Sequence, residues 1–153
     1  MRLEESSIYI GLKKLRRWTF RVQKWMTKAD RIIYGVSLRE ESGQALSNYV
    51  MAFLSTNPQK KVEYLEESMK RFTCLRLDFE TCIEENIIHF RKRKLDEGIP
   101  QATDPEGKAS EAERDPRDEV STKAVELFAL VARVDKDMCK WWASVSKGKT
   151  LYE

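Results

Sequence analysis

The sequence predicts an all-α domain, and three observations point to that class. Four segments carry apolar residues at alternating spacings of three and four, which places those residues along one side of a helix. No segment alternates apolar and polar residues as a strand does. The 153 residues include only 6 Gly and 4 Pro, which disfavours a turn-rich sandwich, a Rossmann unit or a phosphate loop. We therefore predict one domain over residues 1–153, folded as an antiparallel up-down four-helix bundle.

The first predicted helix covers about residues 7–34, and Gly35 is a natural stop for it. Its apolar side is formed by Ile8, Leu15, Trp18, Val22, Trp25, Ala29 and Ile32, with Gly11 filling one position. The second predicted helix covers about residues 38–55. Ser37 followed by Glu40 is a capping-box pattern that favours a helix start at this point.

The third predicted helix covers about residues 59–93, and the fourth covers about residues 121–147. Apolar residues of the third include Val62, Leu65, Phe72, Leu75, Phe79 and Cys82. Those of the fourth include Leu127, Val131, Val134, Met138, Trp141 and Trp142. Ser121 offers a start signal for the fourth helix and Gly148 a stop.

A strongly acidic segment separates the third and fourth predicted helices. Residues 95–120 hold nine acidic and three basic residues, a net charge of −6, although the whole chain carries +3. The segment contains three Pro and two Gly, and almost no large apolar residue after Ile99. Such a composition cannot bury enough surface to offset the entropy of ordering. We therefore predict a long, acidic, disordered loop over about residues 100–117.

The first predicted helix is unusually basic, with eight basic residues and one acid, Asp30. Six of the bases each precede an apolar position, so on a straight helix they form a stripe about 100° from the apolar side. Like charges at these spacings repel, and an anionic partner such as nucleic-acid phosphate would relieve the repulsion. The alternative is a solvated basic helix. The candidate phosphate-binding residues are Lys13, Lys14, Arg16, Arg17, Arg21, Lys24, Lys28 and Arg31.

Four consecutive bases follow the third apolar pattern, namely Arg91, Lys92, Arg93 and Lys94. They could extend the phosphate-binding surface. They could instead stabilise the end of the third helix through its macrodipole, or be screened by the acidic loop. The sequence leaves these three interpretations open.

The sequence carries no recognisable catalytic constellation, and we predict that the protein is not an enzyme. One His and three Cys, without partners at ligand spacing, predict no metal site and no cofactor. No membrane partner is expected, because no apolar run approaches the length of a bilayer span. A small-molecule substrate is not expected either. The expected compartment is the cytoplasm, with reduced cysteines. The adjacent Trp141 and Trp142 predict either a subunit contact or packing at the edge of one bundle.

Three short motifs carry a resemblance to a known family. Lys28-Ala29-Asp30-Arg31, then Tyr34-Gly35 and Leu38, resembles the "Pro-Lys-x-x-Arg-x-x-Leu-Gly" signature at the end of that family's first helix, although Thr27 replaces the Pro. Phe72–Leu77 is similar to its "Leu-x-x-Leu-Arg-x-Leu" run, and Val134–Trp142 to its "Glu-x-x-x-Met-x-x-Trp" ending. The family comprises Avd-like accessory proteins of diversity-generating retroelements and proteins encoded in large-subunit rRNA intervening sequences.

The resemblance implies a barrel-shaped homo-oligomer, pentameric in Avd, without catalytic activity of its own. Its basic outer surface would bind nucleic acid and the reverse transcriptase, and would help that enzyme copy a template RNA into cDNA. Within the matched motifs, only Lys28 and Arg31 would be phosphate-binding residues. Two alternatives remain. One is a basic bundle that serves as an adaptor for an acidic protein partner, and the other is an rRNA-intervening-sequence protein.

Overall fold

The computed structural model describes the backbone of residues 2–90 and 116–151, and side chains in 2–90 and 122–147. Within these ranges the chain is helical apart from short connections and contains no strand, so the all-α prediction is confirmed there. The described residues form four long helices: α1 (Ser7–Arg21), α2 (Val36–Leu54), α3 (Pro58–Glu84) and α4 (Pro116–Leu151). The predicted acidic loop lies outside the described residues, except for residues 116 and 117, which belong to α4.

The predicted first helix over residues 7–34 is wrong in its second half, because α1 ends at Arg21. A 3₁₀ turn follows at Val22–Trp25, and Met26 then adopts an extended conformation with φ −109° and ψ 153°. The Thr27 hydroxyl accepts a hydrogen bond from the Asp30 backbone N–H at 3.1 Å, so Thr27 caps a new helical start. Ala29 and Ile32, which were predicted to be buried, lie beyond this break and are exposed.

Gly35 does not end a helix. The turn Lys28–Asp30 continues through a π-helical turn, Arg31–Gly35, directly into α2. Gly35 is buried, and the amide group of Gln23 occupies the space that a Cβ at residue 35 would need. The missing side chain therefore permits close packing of two segments rather than a chain reversal. The predicted capping box is wrong as well, because Ser37 lies inside the helix.

Helix α3 ends at Glu84, earlier than the predicted residue 93. Asn86 adopts a left-handed conformation with φ 57°, and the Ile87 N–H donates to the Cys82 carbonyl at 2.8 Å. A second bond joins the Asn86 N–H to the Ile83 carbonyl at 3.2 Å. This pair of bonds is a Schellman motif, in which Asn takes the place more often held by Gly. The chain then passes the 3₁₀ turn that follows α1, where the His89 N–H donates to the Trp25 carbonyl at 2.8 Å.

Helix α4 extends beyond both predicted ends. It begins at Pro116 rather than at Ser121, which is possible because the first turn of a helix needs no N–H donor from Pro. It continues through Gly148 to Leu151. A Gly inside a helix costs only about 1 kcal/mol relative to Ala, so the predicted stop is not obligatory.

Neighbouring long helices pack around a shared core. α1 contacts α2 and α4, and α3 contacts the same two helices. Close contacts join the start of α1 to the later part of α4, where the Ser7 hydroxyl donates to Asp137 at 3.0 Å. They also join the middle of α2 to α3, where Ser68 donates to the Ala45 carbonyl at 2.6 Å. Core residues from all four helices include Leu12, Leu15, Trp18, Leu38, Tyr49, Leu65, Phe72, Phe79, Leu127, Val134 and Met138.

Candidate nucleic-acid interface

Helix α1 presents its basic residues to solvent. Lys13, Lys14, Arg17 and Arg21 are exposed and Arg16 is half-buried, whereas Leu15, Trp18 and Val22, each next to a base in sequence, belong to the core. Within residues 2–90 and 122–147, no carboxylate lies at ion-pair distance from any of these cations, whereas Arg71 and Glu67 of α3 form an ion pair. The exposed face of α1 therefore carries a concentration of positive charge that no described acidic group neutralises.

Two buried tryptophans support cations of α1 and of the 3₁₀ turn that follows it. The Arg21 guanidinium lies over the Trp18 ring, 4.4 Å from its centroid, and the Lys24 ammonium lies over Trp25 at the same distance. Each such contact contributes about 0.5–1 kcal/mol at an exposed site. Because the ring holds one side of the cation, the opposite side remains directed to solvent, where it can meet an anion. We call Trp18, Trp25 and the cations over them the tryptophan patch.

The fold adds a cation to the tryptophan patch that sequence reasoning missed. Lys123 of α4 lies over the Trp25 ring at 5.3 Å, so Trp25 carries two ammonium groups from different helices. Lys123 sits far from α1 in sequence, and no local pattern connects them. The patch rests on Phe90, whose ring packs edge-on against Trp18 and Trp25, with centroids 6.3 and 5.3 Å apart.

The predicted single stripe of cations does not persist past Arg21. Lys24 lies in the 3₁₀ turn, and Lys28 and Arg31 lie beyond the extended residue Met26. A 3₁₀ turn and an extended residue both alter the rotation per residue, so the spacing no longer fixes one side. Lys28 and Arg31 are nevertheless exposed, and the Arg31 Nε–H donates to the Met26 carbonyl at 3.3 Å. The predicted residues Arg91, Lys92, Arg93 and Lys94 lie outside the described residues.

A groove between α1 and α2 is a second feature that sequence reasoning missed. It has a volume of about 520 Å³ and is lined by Arg16, Phe20, Val36, Arg39, Glu40, Gly43 and Gln44. Phe20 is an apolar residue on the basic side of α1, and it is 49% exposed. The available sequence signal was an aromatic residue away from the buried apolar positions of its helix.

The seam between α2 and α3 holds a pair of carboxyl groups. Ser37 Oγ lies 3.1 Å from Asp78 Oδ2 and 3.4 Å from Glu41 Oε1. Glu41 Oε2 is buried and has no hydrogen-bond partner among the described residues. Burial, and then the neighbouring Asp78, raise the pKa of Glu41 to about 8. The described residues contain no cluster of His, Cys, Asp and Glu suited to a metal ion.

Glu41 makes stability dependent on pH. In the unfolded chain Glu41 has its ordinary pKa near 4.5, so between that value and about 8 the folded state binds more protons. The free energy of unfolding should therefore fall as pH rises through this window. We expect Glu41→Gln, which cannot titrate, to remove most of this fall, as measured by urea denaturation near pH 5 and near pH 9. Glu40→Gln, at the exposed neighbouring position, should leave the profile unchanged, and an equal effect of both variants would contradict this assignment.

Trp141 and Trp142, in the later part of α4, have partners within the chain. Trp141 packs against Tyr49 and Phe53, with ring centroids 5.3 and 6.4 Å apart. Trp142 is 37% exposed, and its Nε1–H donates to Glu66 of α3 at 3.2 Å. These contacts agree with packing at the edge of one chain, one of the two interpretations of the Trp pair. Exposed apolar residues follow one another elsewhere, at Ile32, Ile33, Tyr34 and Val36, on either side of the buried Gly35.

The three resemblance motifs fall on α-helical or π-helical segments of the structure. Lys28–Arg31 opens the helical stretch that leads into α2, rather than ending the first helix as in the family signature. The other two motifs lie within α3 and α4. In the described part of the chain, no helix is long and apolar enough to cross a bilayer. Comparison of the chain with protein-family models, curated proteins and solved structures found no match.

Proposed function

We propose that this protein is a non-catalytic nucleic-acid-binding accessory protein of a reverse transcriptase. In this proposal it forms a homo-oligomer that binds the enzyme together with its template RNA or cDNA in a diversity-generating retroelement. The observation that carries nucleic-acid binding is the row of exposed α1 cations with no described carboxylate at ion-pair distance, continued by the tryptophan patch. The retroelement and the enzyme partner come from the Avd-like resemblance.

Phosphate is the ligand chemistry that suits this surface. A guanidinium presents several N–H donors in one plane, which match the oxygens of a phosphate group. The Trp18 ring restrains Arg21, so less side-chain entropy is lost when an anion binds. Phosphate contacts supply affinity without sequence preference, as an accessory protein of a polymerase would require.

The proposed architecture is an antiparallel up-down four-helix bundle with the acidic segment connecting α3 and α4. Contacts between α2 and α3 support it, because residues near each end of α2 contact residues near the opposite end of α3. Lys61, near the start of α3, donates to the carbonyls of Ala52 and Phe53 near the end of α2, at 2.9 and 3.3 Å. At the other end of the same pair, Ser37 of α2 contacts Asp78 of α3.

The proposed oligomer, a pentamer by the resemblance, would need an apolar contact surface. The exposed run at Ile32, Ile33, Tyr34 and Val36 is a suitable candidate, since Ile32 and Ile33 are more than 60% exposed. This surface lies at the π-helical turn. It replaces the tryptophan pair as the more suitable place for a subunit contact.

The decisive test of nucleic-acid binding is a salt series with a structured RNA and a matched DNA. With five to eight phosphate contacts, a plot of log affinity against log salt should have a slope of about −4 to −7. Affinity should thus fall about 10²- to 10⁴-fold between roughly 0.05 and 0.2 M salt. Absence of binding at the lowest salt would contradict the proposal and favour an acidic protein as the partner. The gene neighbourhood separates the family branches, with a reverse-transcriptase gene nearby in one and an rRNA gene around it in the other.

A further inference from the structure

We propose that the groove between α1 and α2 binds an unpaired nucleobase of a single-stranded nucleic acid, stacked on Phe20. This inference rests on the proposed function and specifies the form of nucleic acid that the protein prefers. The groove combines an exposed aromatic ring, two guanidinium groups and an amide side chain in about 520 Å³. That volume falls within the range of roughly 300–1,000 Å³ typical of small-ligand sites.

Phe20 is the central residue of this inference. It lies on α1 between the exposed cations Arg17, Arg21 and Lys24, and 49% of it is exposed. The Arg16 guanidinium lies over the Phe20 ring, 5.5 Å from its centroid. A base stacked on the ring from solvent would complete a layered arrangement of guanidinium, phenyl and base. Proteins that bind single strands combine base–aromatic stacking of this kind with a positively charged groove along the backbone.

The two guanidinium groups of the groove are held in place by backbone carbonyls. Arg16 Nη1 donates to the Arg39 carbonyl at 3.4 Å, and Arg39 Nε donates to the Gly35 carbonyl at 3.3 Å. Each guanidinium has five N–H donors, so several remain for the phosphates on either side of a stacked base. The carbonyl contacts reduce the conformational freedom that binding would otherwise remove.

The remaining polar residues of the groove suit a base edge better than a second phosphate. Gln44 is exposed and provides both a donor and an acceptor, and Glu40 provides an acceptor for base N–H groups. A carboxylate disfavours a phosphate beside it, so Glu40 directs phosphates towards Arg16 and Arg39. A duplex keeps its bases paired and stacked, and presents no base face to Phe20 unless a base is flipped out. The groove should therefore favour single strands.

The experiment compares three probes of equal length, about 12 nucleotides: single-stranded DNA, an abasic strand of equal charge, and the duplex. Binding is measured by fluorescence anisotropy for wild type, Phe20→Ala, Phe20→Leu and Phe20→Trp. Leu keeps apolar area but lacks a π-face, and Trp restores one. The control is Met51→Ala on α2, because Met51 is 47% exposed and thus matches Phe20.

Phe20→Ala and Phe20→Leu should weaken binding of the single strand about 5- to 100-fold and leave the abasic strand and the duplex within about twofold. Phe20→Trp and Met51→Ala should bind the single strand like wild type. An equal loss for all three probes, or no loss for the single strand, would overturn the groove inference while salt-sensitive wild-type binding still supported the proposed function. Failure of wild type to bind any probe would overturn both.

Discussion

Nucleic-acid affinity should fall by about 10²- to 10³-fold near 0.1 M salt when four exposed cations are neutralised together, as Arg17→Gln, Arg21→Gln, Lys24→Gln and Lys28→Gln. Each cation that contacts a phosphate releases a counterion on binding. The slope of log affinity against log salt should therefore become less negative by about 3–4. Because all four side chains are exposed, the variant should remain folded, with losses confined to the contacts over Trp18 and Trp25.

A control with the same net charge makes this prediction specific to position. It neutralises one Arg and three Lys exposed on α3 and α4, as Lys60→Gln, Lys70→Gln, Arg133→Gln and Lys136→Gln. If net charge alone attracts the nucleic acid, the two variants should lose affinity equally. A control that retains most of the wild-type affinity would place binding on the cations of α1 and the turn after it. An equal loss would contradict the assignment of the interface.

Phe90→Ala should lower the free energy of unfolding by about 3–5 kcal/mol, the range found for truncating a buried aromatic residue. Phe90 is 1% exposed and contacts Trp18 and Trp25 edge-on. Its loss would leave a cavity beneath the tryptophan patch. Urea denaturation followed by tryptophan fluorescence measures the change directly, because the two indoles lie beside the cavity.

Two further substitutions calibrate the Phe90 result. Phe90→Leu retains most of the apolar volume, so it should cost less than about 2 kcal/mol. Phe20→Ala removes an exposed aromatic ring and should change stability by no more than about 0.5 kcal/mol. A loss below about 1 kcal/mol in Phe90→Ala would show that the segment after α3 contributes little to the core.

Helical content could be predicted from the sequence because apolar spacing is a local property. Leu15, Trp18 and Val22 recur at helical intervals and are all buried. The break before Thr27 could not be predicted from spacing, since the bases and apolar residues continue their rhythm through it. The break depends on one residue, Thr27, whose hydroxyl caps the next helical turn. The early end of α3 likewise depends on one residue, Asn86, which adopts a left-handed conformation. Both are one-residue effects that periodicity over a longer window conceals.

Part of the candidate site could likewise be predicted from the sequence, and part could not. The identities of the exposed α1 cations follow from sequence, because each stands beside a buried position of one helix. Lys123 reaches Trp25 only through the packing of α4 on α1, and Arg39 reaches Phe20's groove only through the packing of α2. Tertiary contacts of this kind cannot be predicted from the spacing of residues along a single segment.

The π-helical turn at Arg31–Gly35 has a consequence for how this surface could change during evolution. Such a turn accommodates about one residue more than an α-helical turn, and one residue corresponds to about 100° of rotation. Deletion of a single apolar residue from this turn would restore regular α-helical geometry. It would also rotate Lys28 about the helix axis relative to the buried side of α2. Such a deletion could change the direction in which Lys28 presents its charge, while every basic residue of the protein is retained.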